Sequence, residues 1–230
     1  MNATMLEVEN LSGGYNDLIV VRDISLDVSE GETVSITGRN GVGKTTLLRL
    51  LSGSLSSAGG IVNFLGTDMI NLAEHKRFSL GISYAPQERI IFDDLSVEDN
   101  LTLHYQDTDL DRYNNYFEKF PRLRERLKQR AGTLSGGEKK LLSFTRAVAE
   151  PTRLILLDEP TEGVQSDNIE LMAQVISDEK NKGRGFLIVD QNLTFLEAIT
   201  DTIHLMDHGE QIYQANGINF RADIESRISI

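Results

Sequence analysis

The chain of 230 residues contains no cysteine, so neither a disulfide framework nor a thiolate metal site is open to it, a composition that suits a reducing cytosol. Long apolar runs are missing too. The longest, Leu154 to Leu157 and Phe186 to Val189, fall far short of the roughly 20 residues a helix needs to cross a bilayer, so no segment is expected to span a membrane. Met1 to Asn10 carries Glu7 and Glu9 and lacks the basic, apolar and small-residue order of a secretory signal; a mature start is the expectation. Positive charge is scarce, with 23 Lys and Arg against 35 Asp and Glu, a net charge of -12. That balance disfavours sequence-independent contact with a phosphate backbone. No nucleic-acid partner is expected, and the acidity reads as a well-solvated surface. There is no internal repeat and no low-complexity tract. The length allows one compact unit with a substantial core.

Short alternating runs open the chain: Leu6 to Val8, Ile24 to Val28 and Thr33 to Ile36, with Gly13-Gly14 and Glu30-Gly31 between them as turns. Period-two alternation bounded by glycine predicts strands, here an antiparallel sheet. The last run leads through a glycine-rich loop into a helix over Lys44 to Leu51, ended by Ser52-Gly53. Strands are predicted at Ile61 to Leu65 and Gly81 to Ala85, the latter stopped by Pro86. From Ser96 to Glu150 the pattern turns helical, with Ser96 and Asp99 as a capping signal and helical spacing over Tyr113 to Phe120 and Leu123 to Leu127. Beyond Pro151 strands at Leu154 to Leu157, Phe186 to Val189 and Ile203 to Met206 alternate with helices from about Asn168 and about Thr194. Such alternation predicts a parallel sheet covered on both faces.

Gly38-Arg39-Asn40-Gly41-Val42-Gly43-Lys44-Thr45 satisfies G-x-x-x-x-G-K-[ST] at every fixed position, between a strand and a helix as the motif requires. Glycines let the backbone wrap a polyphosphate with N–H groups inward, and the helix start adds its dipole. Lys44 is then expected to reach the β- and γ-phosphates, and the Thr45 hydroxyl to bind Mg²⁺. Leu154 to Leu157 ends in Asp158-Glu159, where a parallel sheet meets its ligand crevice. Asp158 suits the magnesium side, and Glu159 suits the general base that orients or deprotonates the attacking water.

Leu134-Ser135-Gly136-Gly137-Glu138 lies about twenty residues before Asp158. Read alone, Ser135 and Glu138 form a capping box that opens a helix. Taken with the phosphate loop upstream and Asp158-Glu159 downstream, the segment resembles the signature of the ABC transporter ATPases, and the resemblance covers nearly the whole chain. It implies an α/β P-loop NTPase (RecA-like) core with an N-terminal antiparallel β subdomain and a helical insert subdomain: residues 1–86 and 151–230 for the core, 87–150 for the insert. It assigns Gly38, Arg39, Asn40, Gly41, Val42, Gly43, Lys44, Thr45 and Thr46 to nucleotide, and ATP with Mg²⁺ as cofactors. It matches Tyr15 to the aromatic that stacks on adenine, and Gln87 to the glutamine that senses Mg²⁺ and water. In this family two subunits pack head to tail, so that Ser135, Gly136, Gly137 and Glu138 of one face the γ-phosphate held by the other. A helix start with free amides suits that anion.

Two departures narrow the resemblance. Where most relatives carry a histidine, the chain reads Asp190-Gln191-Asn192, so Gln191 takes the γ-phosphate-sensing, catalytic position with a group that hydrogen-bonds but does not titrate near neutrality. Gly163-Val164-Gln165-Ser166 replaces the usual Ser-Ala-Leu-Asp loop. With Glu159-Pro160-Thr161-Glu162 and Pro86-Gln87-Glu88-Arg89-Ile90-Ile91-Phe92, these features look like the ATPases of branched-chain amino acid and urea or short-amide importers. The implied partners are a second ABC ATPase subunit, alike or related, transmembrane permease subunits, and indirectly a soluble substrate-binding protein. The implied location is the cytoplasmic face of the membrane, peripheral; Ile90, Ile91 and Phe92 are candidate apolar contacts to the permease, with ordinary packing of the helical insert as the alternative. Two rivals predict otherwise: a soluble ABC ATPase driving an assembly or repair scaffold, and a regulatory module with a damaged catalytic set.

Overall fold

The computed structural model describes residues 3–88, 91–217 and 219–228. Strands β1 (Thr4–Tyr15) and β2 (Leu18–Ser29) pair antiparallel, their alternating residues burying Leu6, Val8, Ile24, Leu26 and Val28 on one face. Next come β3 (Thr33–Thr37), α1 (Lys44–Ser52), β4 (Ser57–Phe64), β5 (Thr67–Asp68), α2 (Glu74–Leu80) and β6 (Ile82–Ala85). The middle holds α3 (Val97–Thr102), α4 (Asn114–Lys119), α5 (Pro121–Glu125) and α6 (Gly136–Ala149). The chain continues with β7 (Leu154–Asp158), α7 (Ser166–Lys180), β8 (Gly185–Val189), α8 (Leu193–Ile199), β9 (Thr202–Asp207), β10 (Glu210–Asn216) and α9 (Arg221–Ile228). Two sheets result, a four-stranded antiparallel one in the order β2-β1-β4-β5 and a six-stranded one in the order β10-β9-β3-β8-β7-β6. In the larger sheet β9, β3, β8, β7 and β6 run parallel, and β10 joins the edge antiparallel.

Strands β3, β7 and β8 are buried at every residue, as both faces of a parallel sheet require. On β7, Leu154 and Leu156 enter the apolar cluster shared with α1 and the antiparallel sheet, whereas Ile155 and Leu157 enter the cluster shared with the helices of the other face. Each such buried side chain contributes roughly 1.5–3 kcal/mol. The second cluster runs without a break from Ile155 and Phe186 into Phe144, Tyr113 and Val97, so the helical segment is packed onto the sheet.

The structure corrects two expectations and adds three elements that the sequence did not announce. Thr33–Thr37 is no part of the antiparallel sheet; it is a central parallel strand between β8 and β9. Its Thr-Val-Ser-Ile alternation imitates a half-exposed strand, yet Thr33 and Ser35 are wholly buried and the Ser35 and Thr200 hydroxyls bond at 2.6 Å. Gly13-Gly14 is not a turn but lies within β1 at register shifts, and the reversal comes at Asn16 with φ +52°. Elements α2, β10 and α9 carry no apolar stripe: α2 buries only Arg77 and α9 only Ile224. Arg77 gives α2 its place, because its guanidinium donates to Leu50 O at 2.8 Å and Leu51 O at 2.9 Å, satisfying carbonyls at the end of α1.

Candidate functional site

The phosphate loop joins β3 to α1 at the carboxyl edge of the sheet. Gly38 adopts φ +148°, and a Cβ there would lie 2.3 Å from the carbonyl oxygen of Met206, so the chain admits no side chain at this point. The Lys44 ammonium donates to Gly38 O at 2.8 Å and Arg39 O at 2.9 Å, curling the loop around itself. Burial lowers the affinity of Lys44 for its proton, and the Glu159, Asp158 and Asp190 carboxylates oppose that. Val42 O accepts from Gly209 N at 2.9 Å, and the Arg39 guanidinium donates to Ile228 O in α9. Thus Arg39 braces the loop from behind instead of lining its cavity. That cavity, about 300 Å³, is bounded by Tyr15 and Val20 on one side, by Asn40, Gly41 and Gly43 to Thr46 along the loop, and by Gln87 and Glu159 beyond. Tyr15 is 39% exposed there, its hydroxyl accepting from Arg49 at 3.1 Å.

Thr45 Oγ1 donates to Asp158 Oδ1 at 3.1 Å, and the Tyr84 hydroxyl donates to Asp158 Oδ2 at 3.3 Å. Burial, with the neighbouring Glu159 charge, pushes the Asp158 carboxyl up to about 6 against the hydrogen bonds that favour ionisation. A hydroxyl beside a carboxylate, both hard oxygen donors, fits a magnesium ion that takes one or two protein ligands, phosphate oxygens and water. Gln87 stands next to this pair through Glu159.

Glu159 follows β7 with φ +46°, a left-handed backbone that costs a non-glycine residue of order 1–3 kcal/mol. Its N–H donates to Val189 O at 2.7 Å. Its carboxylate receives one amide on each oxygen, Gln87 Nε2 on Oε2 at 2.7 Å and Gln191 Nε2 on Oε1 at 3.0 Å, with Lys44 Nζ 3.9 Å from Oε1. Gln191 also donates to Asn40 Oδ1, so one amide joins the loop to the acid. Behind it the buried Asp190 accepts from Thr161 N at 3.1 Å, Gln191 N at 2.7 Å and Asn192 N at 2.9 Å. Burial raises the Asp190 carboxyl above its ordinary range in spite of these donors.

Lys44, Thr45, Asn40, Gln87, Asp158, Glu159 and Gln191 therefore meet in one place. Ser135 to Glu138 do not join them within the chain. They form the start of α6, with the reciprocal bonds of a capping box: Glu138 N to Ser135 Oγ at 3.3 Å, and Ser135 N to Glu138 Oε2 at 3.0 Å. Arg126 also reaches Glu138 Oε2 at 3.1 Å. Ser135, Gly136 and Gly137 border a separate cavity of about 900 Å³ with Phe120, Arg126, Gly163 and Gln165. A Cβ on Gly137 would lie 2.6 Å from Gly163 O, so α6 starts hard against the loop that follows the acidic pair.

Phe92 is 55% exposed, its backbone held by the buried Asn100 side chain. Ile91 packs partly into the helical core, and Ile90, like Arg89, lies outside the described residues. Sequence reasoning missed Tyr84 and Lys140 as neighbours of the acidic pair and Thr161 as the partner of Asp190. Lys140 alone left a sequence signal, a lysine among the apolar positions of α6. Among the described residues no helix is long and apolar enough to cross a membrane.

The family model described as ABC transporter matches residues 21–162. The high-affinity branched-chain amino acid transport ATP-binding protein BraG of Pseudomonas aeruginosa is 34% identical over 93% of each chain. The lipopolysaccharide export system ATP-binding protein LptB of Escherichia coli is 35% identical over 90% of this chain and 88% of its own. A crystal structure of a nucleotide-free ATP-binding cassette from an ABC transporter superposes with a TM-score of 0.84 at 24% identity, over 99% of both chains. A bacterial Atm1-family ABC exporter with ATP bound superposes with a TM-score of 0.85 at 21% identity, over all of this chain and 43% of its own. The two structures agree on the fold.

Proposed function

The chain belongs to the ABC transporter family and is an ATPase of a transporter, and from that premise we propose that it powers an importer of branched-chain amino acids or of urea and short-chain amides. What carries the importer reading is the match to an amino acid transport ATP-binding protein along 93% of both chains. Relatives of that kind work with transmembrane permeases, so permease subunits are the proposed partners, with a soluble substrate-binding protein beyond them. The chain then sits peripherally on the cytoplasmic face of the membrane, and Phe92 is its proposed apolar contact.

In the proposed mechanism ATP lies along the phosphate loop, adenine on Tyr15, with its phosphates on the Gly38 to Thr46 backbone and Lys44. Thr45 and Asp158, with Gln87 beside them, would hold Mg²⁺, which would supply positive charge against the phosphates. Glu159 takes the proton of the attacking water, and Gln191 donates to the γ-phosphate. Two subunits complete each other's sites, the Ser135 to Glu138 helix start of one facing the phosphates of its partner. The carboxylate with an amide on each oxygen and Lys44 at 3.9 Å supports this role for Glu159.

Glu159→Gln is expected to bind ATP with unchanged affinity and to lose at least about a hundredfold in turnover, the usual worth of a general base. Near-normal steady-state hydrolysis removes Glu159 from the role. Direction and cargo are tested by purifying the chain from membranes with its permease and reconstituting it in vesicles: ATP-driven uptake of leucine or urea, dependent on a binding protein, is expected. The lipopolysaccharide export relative at 35% identity supports a second reading, which gains if the purified permease moves a lipid and needs no binding protein.

A further inference from the structure

Lys140 lies one turn into α6, on the helix whose first turn carries Ser135 to Glu138, and its side chain is 10% exposed. It does not reach towards the apolar core around Leu141, Leu142 and Phe144. Its ammonium donates instead to Gln87 O at 3.0 Å and Glu159 O at 3.2 Å, and lies 3.6 Å from Glu162 Oε2. Two carbonyls thus accept from the ammonium, and a carboxylate lies beside its charge. Both carbonyls belong to residues whose side chains meet at the acid: Gln87 Nε2 bonds Glu159 Oε2 at 2.7 Å. The third partner begins the segment that runs from Glu162 to Gly163, against which Gly137 of the same helix is packed.

The Glu159 backbone is held on both sides, its N–H by Val189 O at 2.7 Å and its carbonyl by Lys140. A residue at φ +46° keeps that conformation only when its surroundings over-determine it. We propose that Lys140 is a positioning residue for hydrolysis, an ammonium that pins the backbone of Glu159 and Gln87 and ties both to the signature helix. The proposal rests on the reading of Glu159 as general base. Lys140 touches neither nucleotide nor water in it. It sets where the Glu159 carboxylate and the Gln87 amide stand, and a movement of α6 against a partner subunit reaches both through one side chain.

The test is steady-state ATPase activity of Lys140→Met and Lys140→Arg, with ATP affinity measured by binding of a fluorescent ATP analogue and stability by thermal melting. Glu159→Gln is run beside them. Methionine keeps the length of the stem and removes the donors. A displaced catalytic group costs up to about a hundredfold in rate, so Lys140→Met is expected to lose about tenfold or more in kcat with nucleotide affinity within about twofold. Lys140→Arg, which keeps donors and charge, is expected to hydrolyse within about threefold of the parent. A wild-type kcat in Lys140→Met overturns the proposal. So does a loss of nucleotide affinity and melting temperature in step with kcat, which marks a merely structural lysine. If Glu159→Gln hydrolyses normally, the reading of Glu159 has failed; if it is inactive while Lys140→Met is fully active, only the proposal for Lys140 has.

Discussion

Asp158 is 2% exposed at the end of β7, where burial pushes its carboxyl from 3.8 up to about 6. A carboxyl with a raised folded pKa binds more protons folded than unfolded, so its contribution is complete below about pH 3.8 and is lost as pH rises through about 6. Holding the ionised group at neutral pH costs the ligand-free chain about 3 kcal/mol. Asp158→Asn keeps an acceptor for Thr45 and removes the charge. Its stability advantage over the parent, read from urea unfolding without nucleotide, is expected to be absent near pH 4 and full above pH 6; a difference that does not vary with pH refutes the account. The same residue was legible beforehand as an acid at a strand end. Its bond to Tyr84 was not, because Tyr84 is 74 positions away and reaches Asp158 only where β6 pairs with β7.

In the proposed mechanism helix α6 does two jobs with the same residues. Ser135 caps it through Glu138 N, and Ser and Asp are near-equal caps. Ser135→Asp is therefore expected to leave the melting temperature within about 2 °C, since 1 kcal/mol moves a domain of this size by about 2–4 °C. It also sets a negative charge against the proposed phosphates of the partner. ATPase activity is expected to fall at least about tenfold, and full activity with an intact melting temperature removes Ser135 from the composite site. The parallel strands of the larger sheet and helices α1, α6 and α7 were foreseen within a few residues, because apolar periodicity and capping are local. Elements α2, β10 and α9 were not, since what holds α2 is a guanidinium bonded to carbonyls 26 and 27 positions away. The division into a core and an insert at 87–150 remains a proposal. One apolar cluster crosses it.

For the chain as a body, the separation of Ser135 to Glu138 from the phosphate-loop cavity makes a dimer the unit that hydrolyses ATP in the proposed mechanism. Glu159→Gln is expected to be a monomer in light scattering without nucleotide and a dimer with Mg²⁺-ATP, and a parent chain that stays monomeric while hydrolysing ATP at full rate refutes the composite site. The amino-acid order by itself determined the phosphate loop, the acidic pair, the capping box of α6 and the family, because each is a run of neighbours whose chemistry depends on spacing along the chain. Tertiary structure alone decided that Thr33–Thr37 is a central parallel strand, that Gln87 and Gln191 each bond one oxygen of Glu159, and that Lys140 holds the carbonyls of Gln87 and Glu159. Those contacts join residues 19 to 72 positions apart, and such distant groups meet only when burial of both faces of the sheet draws its carboxyl edge together.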